Sequence, residues 1–191
     1  MKDIEIEIQV KIGSSATLRT FLEKNAKFVS ENRQIDEYFT PAHEDFTKVR
    51  PIAEWFRIRD ERGAFSVNYK NWHSDDKGIG QYADEFETTV GDKATMRKIL
   101  LALDFKPLIT VDKTRKKYLF EDYEIAFDTV VGLGDFVEIE YKGSKTVDPK
   151  ATTDGMIAFL RGLDCGSIEV NNGGYPMLLL FPENAHFIKV A

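Results

Sequence analysis

Five stretches of the sequence carry charged residues two positions apart, and each stretch keeps largely to one sign. In chain order they are Glu5-Ile6-Glu7-Ile8-Gln9-Val10-Lys11, Arg57-Ile58-Arg59, Glu85-Phe86-Glu87, Lys113-Thr114-Arg115 and Glu138-Ile139-Glu140. On a β-strand, side chains at i and i+2 lie on one face, about 7 Å apart. Carboxylates are ligands that Mg²⁺ and Mn²⁺ prefer, whereas Arg and Lys neutralise phosphate oxygens. The pattern therefore predicts a surface that binds a polyanion together with its metal ions.

The residues between these charges are mostly apolar, and we expect them to point outward beneath helices: Ile6, Ile8, Ile58, Phe86 and Ile139. For any single charged pair, the solvated face of a sheet is the better interpretation. Segregation by sign over five strands instead favours a closed barrel whose charged faces line the inside. Buried charges cost several kcal/mol each unless they are paired or bound to metal. We therefore expect acidic and basic strands to converge on one hydrated cavity.

The elements that must position these charges alternate mainly as β-hairpins. Strand patterns occur at about 3–12, 27–31, 34–40, 54–61, 64–72, 81–90, 109–120, 123–131 and 135–142. Helices are predicted to begin at Ser14 or Ser15, at Asp92 and at Pro149, and a short helix or turn is expected over 175–181. Hairpins interrupted by a few helices predict an α+β fold with an antiparallel sheet that is strongly curved or closed.

Composition sets the class of protein that we expect. The 191 residues are predicted to form one domain, 1–191, and the formal charge of −6 argues against a general binder of nucleic acid or membrane surfaces. A single cysteine, Cys165, indicates a reducing compartment. With no apolar run of about 20 residues and no signal peptide, a cytoplasmic protein is expected. A homodimer through a strand edge or through Met177–Phe181 is left open.

The order of these motifs resembles the CYTH family of triphosphate tunnel metalloenzymes, which comprises class IV adenylyl cyclases, thiamine triphosphatases and inorganic triphosphatases. The resemblance runs from Glu5 to Tyr175, and the stretch Phe127–Glu140 is most similar to the class IV cyclase branch. It implies a closed eight-stranded antiparallel barrel, or tunnel, with helices packed outside.

The resemblance also implies roles for individual residues. Those that would hold Mg²⁺ or Mn²⁺ are Glu5, Glu7, Asp128, Glu138 and Glu140. Those that would bind the triphosphate are Lys11, Arg57, Arg59, Lys70, Glu85, Glu87, Lys113 and Arg115, of which Lys70, Lys113 and Arg115 would be catalytic. The family signature Glu-x-Glu-x-Lys is broken by Gln9, and Lys11 lies one step further along the same face. A neutral amide cannot replace the point charge of an ammonium on phosphate.

Three functions stay open from the sequence. The first is cyclisation of ATP to cyclic AMP and pyrophosphate, and the second is hydrolysis of a nucleoside, thiamine or inorganic triphosphate. The third is a non-catalytic sensor of triphosphate or polyphosphate, which Gln9 favours. The pocket for a base would decide between them, and its candidates are Trp55, Trp72 and the loop 73–80. Tyr175 is expected either to close the tunnel over a ligand or to pack in the core.

Overall fold

The computed structural model describes residues 4–75, 80–144, 146–184 and 187–190. Its strands are β1 (Ile4–Glu5), β2 (Glu7–Ile12), β3 (Lys27–Pro41), β4 (Glu54–Glu61), β5 (Ala64–Ser74), β6 (Gly80–Val90), β7 (Phe105–Phe120), β8 (Tyr123–Val130), β9 (Gly134–Tyr141), β10 (Ile168–Asn171) and β11 (Phe187–Val190). Its α-helices are α1 (Ser15–Asn25), α2 (Lys93–Ala102), α3 (Pro149–Gly162) and α4 (Gly174–Leu180). The α+β prediction is confirmed.

All the strands belong to one antiparallel sheet in the order β1-β6-β5-β4-β3-β7-β8-β9-β2-β10-β11. The predicted N-terminal strand is interrupted at Ile6, so that β1 pairs with β6 while β2 pairs with β9. The N-terminal segment that contains β1 and β2 thereby connects β6 on one side of the curved sheet to β9 on the other. If β1 and β2 are counted as one interrupted strand, eight strands surround the interior. The hydrogen-bonded ladder itself is not closed, because β2 continues onto β10 and not onto β6.

Helices cover most of the outward apolar residues, as the alternation predicts. Ile8 and Ile139 are buried in a cluster with Leu18 of α1 and Met156 of α3. Burial of such side chains contributes about 1.5–3 kcal/mol each. On the opposite side, α2 covers Ile58.

Phe86 corrects the prediction for β6, because its side chain is 56% exposed. Its ring stacks on Tyr69 of the neighbouring strand, with the ring centroids 6.1 Å apart. Helix α3 contacts β6, yet it leaves this position uncovered.

One end of the barrel is filled by aromatic and aliphatic side chains. Helix α4 brings Tyr175 and Leu178 against inward residues of the barrel strands, among them Tyr38, Trp55 and Phe136. Phe136 and Tyr175 meet edge to face at 5.0 Å between centroids. In the part of the chain that the structure describes, no helix has the length and apolar character needed to cross a bilayer.

Candidate functional site

A cavity of about 720 Å³ occupies the interior of the barrel. Most of the residues that the sequence analysis singled out line it: Glu5, Glu7, Arg57, Arg59, Lys70, Glu85, Glu87, Lys113, Arg115, Glu138 and Glu140. They arrive there because each occupies the inward face of its strand, in phase with the buried residues that point outward. For example, Glu7 lies opposite Glu140, and Gln9 lies opposite Glu138, across β2 and β9.

Two of the predicted site residues are placed elsewhere. The ammonium of Lys11 lies 4.8 Å from the ring centroid of Phe136 and 5.3 Å from that of Phe187, away from the charged part of the cavity. Aromatic faces attract cations, which accounts for this position. The side chain of Asp128 is fully buried behind the cavity surface.

Lys70 lies among carboxylates on one side of the cavity. Its ammonium contacts Glu5, is 3.2 Å from Oε1 of Glu7, and is 3.7 Å from Oε1 of Glu85. Burial raises the pKa of Glu5 well above its usual range, and the charge of Glu7 raises it further. Burial also raises the pKa of Glu7, although Lys70 opposes the shift. This cluster therefore holds more negative charge than one lysine neutralises.

Gln9 occupies the place where the family signature has lysine, and its amide makes hydrogen bonds on both sides. Its Nε2 donates to Oε2 of Glu138 at 3.2 Å, and its Oε1 accepts a hydrogen bond from Asn171. The other carboxylate oxygen of Glu138 is 2.8 Å from Nη1 of Arg115. A neutral group thus stands at this point of the cavity wall.

Arg115 is held from behind by Asp128. Its Nε and Nη2 donate to the two carboxylate oxygens at 2.8 and 2.5 Å, and the hydroxyl of Tyr175 also donates to Asp128, at 2.8 Å. Lys113 lies 3.4 Å from the same carboxylate. Burial, together with the nearby charge of Arg115, lowers the pKa of Lys113 to about 8.

Asp36 holds the other arginines in a similar way, and the sequence analysis missed it. Its two oxygens accept hydrogen bonds from Nε and Nη2 of Arg59, both at 2.7 Å, and one oxygen is 3.5 Å from Nη1 of Arg57. Asp36 has Gln34 two positions before it and Tyr38 two positions after it, so it forms no like-charged pair at i and i+2. The available signal was the polar face shared by Gln34, Asp36 and Tyr38.

The strand order separates the charges into two walls. The basic wall, on β4 and β7, consists of Arg57, Arg59, Lys113 and Arg115, with Asp36 and Asp128 on neighbouring strands. The acidic wall, on β1, β2, β6 and β9, consists of Glu5, Glu7, Glu85, Glu138 and Glu140. One ligand lying between them can contact cations on one side and metal-binding carboxylates on the other.

The filled end of the barrel gives the same cavity an aromatic surface. Tyr38, Trp55, Trp72 and Tyr175 line it, together with Ile52. This surface adjoins the charges, because Trp55 lies two residues before Arg57 on β4 and opposite Lys70 on β5. Of the loop 73–80, residues 76–79 lie outside the described ranges.

The acidic wall has suitable donors for a divalent cation, although they are not arranged around one. Among the described residues, no group of three His, Cys, Asp or Glu side chains is placed to hold a metal ion. The ammonium of Lys70 lies where the carboxylates would converge. Oε2 of Glu5 is buried and contacts this ammonium, but it accepts no well-aligned hydrogen bond. Oxygen donors with excess negative charge fit Mg²⁺ or Mn²⁺.

Comparison with known proteins gives matches along almost the whole chain. The sequence model of the CYTH domain matches residues 3–175. The chain is 35% identical over 173 residues to "Putative adenylate cyclase MJ0240" of Methanocaldococcus jannaschii, which covers 90% of this chain and 96% of that protein.

Solved structures share the fold. The PH1819 protein of Pyrococcus horikoshii is 27% identical with a TM-score of 0.77, covering 92% of this chain and 98% of that one. A Hippeastrum protein, described as a putative adenylyl cyclase with a dominant triphosphatase activity, is 16% identical with a TM-score of 0.63. That match covers 95% of this chain and 97% of the Hippeastrum chain, and at this identity it shows the fold alone.

Proposed function

The chain belongs to the CYTH domain family, and on that premise we propose that it is a divalent-metal-dependent enzyme acting on a nucleoside triphosphate. Conversion of ATP to cyclic AMP and pyrophosphate is the first candidate reaction. The observation that carries the proposal is the separation of the basic wall from the acidic wall around one cavity. A triphosphate bound with its cations needs both kinds of group within reach.

In this proposal the basic wall binds the phosphates. Arg57, Arg59 and Arg115 neutralise the phosphate oxygens, and the ammonium of Lys113 adds a further donor on the same side. Buried charged donors that are already oriented stabilise the charge that shifts between oxygens during phosphoryl or nucleotidyl transfer. Asp128, first expected to bind metal, is reassigned as the residue that orients Arg115, since Arg115 and Tyr175 occupy its carboxylate oxygens.

The acidic wall would hold Mg²⁺ or Mn²⁺ through Glu5, Glu7, Glu138 and Glu140. A cation bound there neutralises negative charge on the phosphate oxygens. With a cation bound to Glu5 and Glu7, the ammonium of Lys70 would be free to donate hydrogen bonds to the phosphate oxygens. Burial is the main cause of the raised pKa of Glu5 and Glu7, and a bound cation would offset the repulsion between carboxylates that adds to it.

Cyclisation requires the ribose 3′-oxygen to attack the α-phosphorus. The new O3′–P bond replaces the bond from the α-phosphorus to the bridging oxygen, pyrophosphate leaves, and the hydroxyl proton passes to water. The aromatic surface favours a nucleoside substrate over inorganic triphosphate, because Trp55 and Trp72 line the cavity beside the phosphate-binding residues. A base stacked there places the ribose between the aromatic surface and the basic wall.

Gln9 favours a second candidate, a sensor that binds a triphosphate without converting it. The missing ammonium removes one charge from the cavity, and Glu138 and Asn171 already engage the amide that replaces it. Binding requires only the remaining cations, whereas turnover also requires stabilisation of the charge that develops in the transition state.

Incubation with ATP and Mn²⁺, followed by ion-exchange chromatography of the products, tests the proposal. Cyclic AMP and pyrophosphate support the cyclase, whereas ADP and phosphate identify a triphosphatase. Binding detected by calorimetry without any products identifies a sensor. The absence of both binding and turnover refutes the proposal. Trp72→Ala should weaken binding of ATP but leave that of inorganic triphosphate unchanged. Phe86→Ala, which removes an exposed ring on the outer face, serves as the control.

A further inference from the structure

We infer that Asp36 is a positioning residue that fixes Arg57 and Arg59 in the orientation in which they meet the phosphates of the ligand. The inference rests on the proposed function, because both concern the same cavity. Asp36 lies on β3, opposite Arg59 of β4 and opposite Val111 of β7. Its side chain is almost fully buried, so it would act on a ligand only through the arginines in front of it.

The contacts of Asp36 constrain both guanidinium groups. Arg59 is bound through Nε and Nη2, a two-pronged geometry that fixes the plane of the group and leaves Nη1 free of this pair. Arg57 is held through Nη1, which is 3.5 Å from Asp36 and donates to the hydroxyl of Tyr38 at 3.3 Å. Nε of Arg57 is buried and has no hydrogen-bond partner among the described residues. An oriented donor without a partner is what an incoming anion would satisfy.

The arrangement repeats that of Asp128 on the other side of the basic wall. Arg115 also uses Nε and Nη2 toward Asp128, which leaves its Nη1 directed elsewhere, in that case to Glu138. Each aspartate also has a second cation within about 3.5 Å, Arg57 for Asp36 and Lys113 for Asp128. Two buried carboxylates on separate strands thus orient two pairs of cations toward one cavity.

The outer surface of the same strands provides a matched control. Arg33 on β3 binds Asp112 on β7 through Nε and Nη2, in the same two-pronged geometry, but Arg33 is 65% exposed and lies on the outer face. Asp112→Asn therefore removes the same kind of pair without touching the cavity. A difference in triphosphate affinity between Asp36→Asn and Asp112→Asn therefore isolates the effect of the buried pair on the ligand.

Calorimetric titration of inorganic triphosphate in the presence of Mn²⁺ tests the inference. Asp36→Asn should weaken binding about tenfold or more, the effect of losing one charge-assisted interaction. Asp112→Asn should bind like the unchanged protein. In an Arg59→Gln background, Asp36→Asn should weaken triphosphate binding much less, because Asp36 acts through the arginine. Loss of this buried charge lowers the thermal midpoint in either case, so the coupling is the deciding measurement: a merely structural aspartate would leave it near zero.

Asp36→Glu keeps the charge, and it is the variant to test if Asp36→Asn does not fold. The extra methylene displaces the carboxylate, so triphosphate binding by the folded variant should fall about fivefold or more. Unchanged binding in Asp36→Glu and Asp36→Asn overturns the inference and leaves the proposed function standing. Failure of the unchanged protein to bind triphosphate overturns both.

Discussion

Replacement of Arg115 by Met would test whether charged pairs inside the barrel carry more of the stability than identical pairs outside it. Methionine keeps the aliphatic length and removes the guanidinium, which leaves Asp128 fully buried and Glu138 only 12% exposed. Removal of one partner of a buried ion pair costs about 3–5 kcal/mol. The hydroxyl of Tyr175 and the ammonium of Lys113 remain beside Asp128. We therefore expect the free energy of unfolding to fall by about 3 kcal/mol, at the lower end of that range.

Arg33→Met is the matched control for Arg115→Met. Arg33 and Asp112 have the same two-pronged contact, but their side chains are 65% and 27% exposed. Exposed pairs contribute about 0–1 kcal/mol, and salt screens them further. Urea denaturation followed by tryptophan fluorescence measures both variants. Equal losses in the two variants would refute the reasoning, because burial would then make no difference to the cost.

Three further predictions concern the cavity. Gln9→Lys should raise turnover of ATP with Mn²⁺, since it restores an ammonium beside Glu138; a slower variant would show that the missing charge is not limiting. Glu5→Ala and Glu138→Ala should each abolish metal-dependent turnover while far-ultraviolet circular dichroism shows an intact fold, and full activity in both would remove these residues from metal binding. Burial raises the pKa of Asp36, but Arg57 and Arg59 outweigh it and hold that pKa well below its usual range. The stability that Asp36 contributes is present above an unfolded-state pKa of about 3.9 and is lost as pH falls below it. The stability gap between the unchanged protein and Asp36→Asn should therefore narrow from about pH 6 to about pH 3, and a constant gap would contradict the assignment.

The alternation of side chains accounts for what the sequence could predict. Ile8 and Ile139 point outward because Glu7 and Glu140 point inward, and a period of two residues fixes both at once. The convergence of separate strands also follows, since a hydrophobic outer face beneath helices forces the other face inward. Phe86 shows where this reasoning stops: periodicity gives the face of a residue, but not whether a helix covers it.

Pairings between distant segments account for what the sequence did not reveal. The strands β10 and β11 are four residues each, too short for a pattern. The strand β10 forms because Ile168 and Val170 pair with β2, and β11 in turn pairs with β10. The partner of Asp36 is revealed only when β3 lies beside β4, in the register that places Asp36 opposite Arg59. The contact between Asp128 and Arg115 likewise depends on the register of β7 and β8, which places the two residues opposite each other.

The two walls solve the problem of placing many charges in one interior by different means. The basic wall is oriented within the protein, because Asp36 and Asp128 provide fixed counter-charges behind Arg59 and Arg115. The acidic wall has fewer counter-charges: Lys70 contacts Glu5, Glu7 and Glu85, whereas Glu138 meets Arg115 and Glu140 meets Lys142. Burial raises the pKa of Glu5, and the charge of Glu7 raises it further. A protein that used these charges only for stability would gain by replacing them with apolar residues. The acidic wall keeps unbalanced negative charge, and the basic wall facing it holds oriented hydrogen-bond donors. This arrangement is expected where a cation and a polyanion enter together.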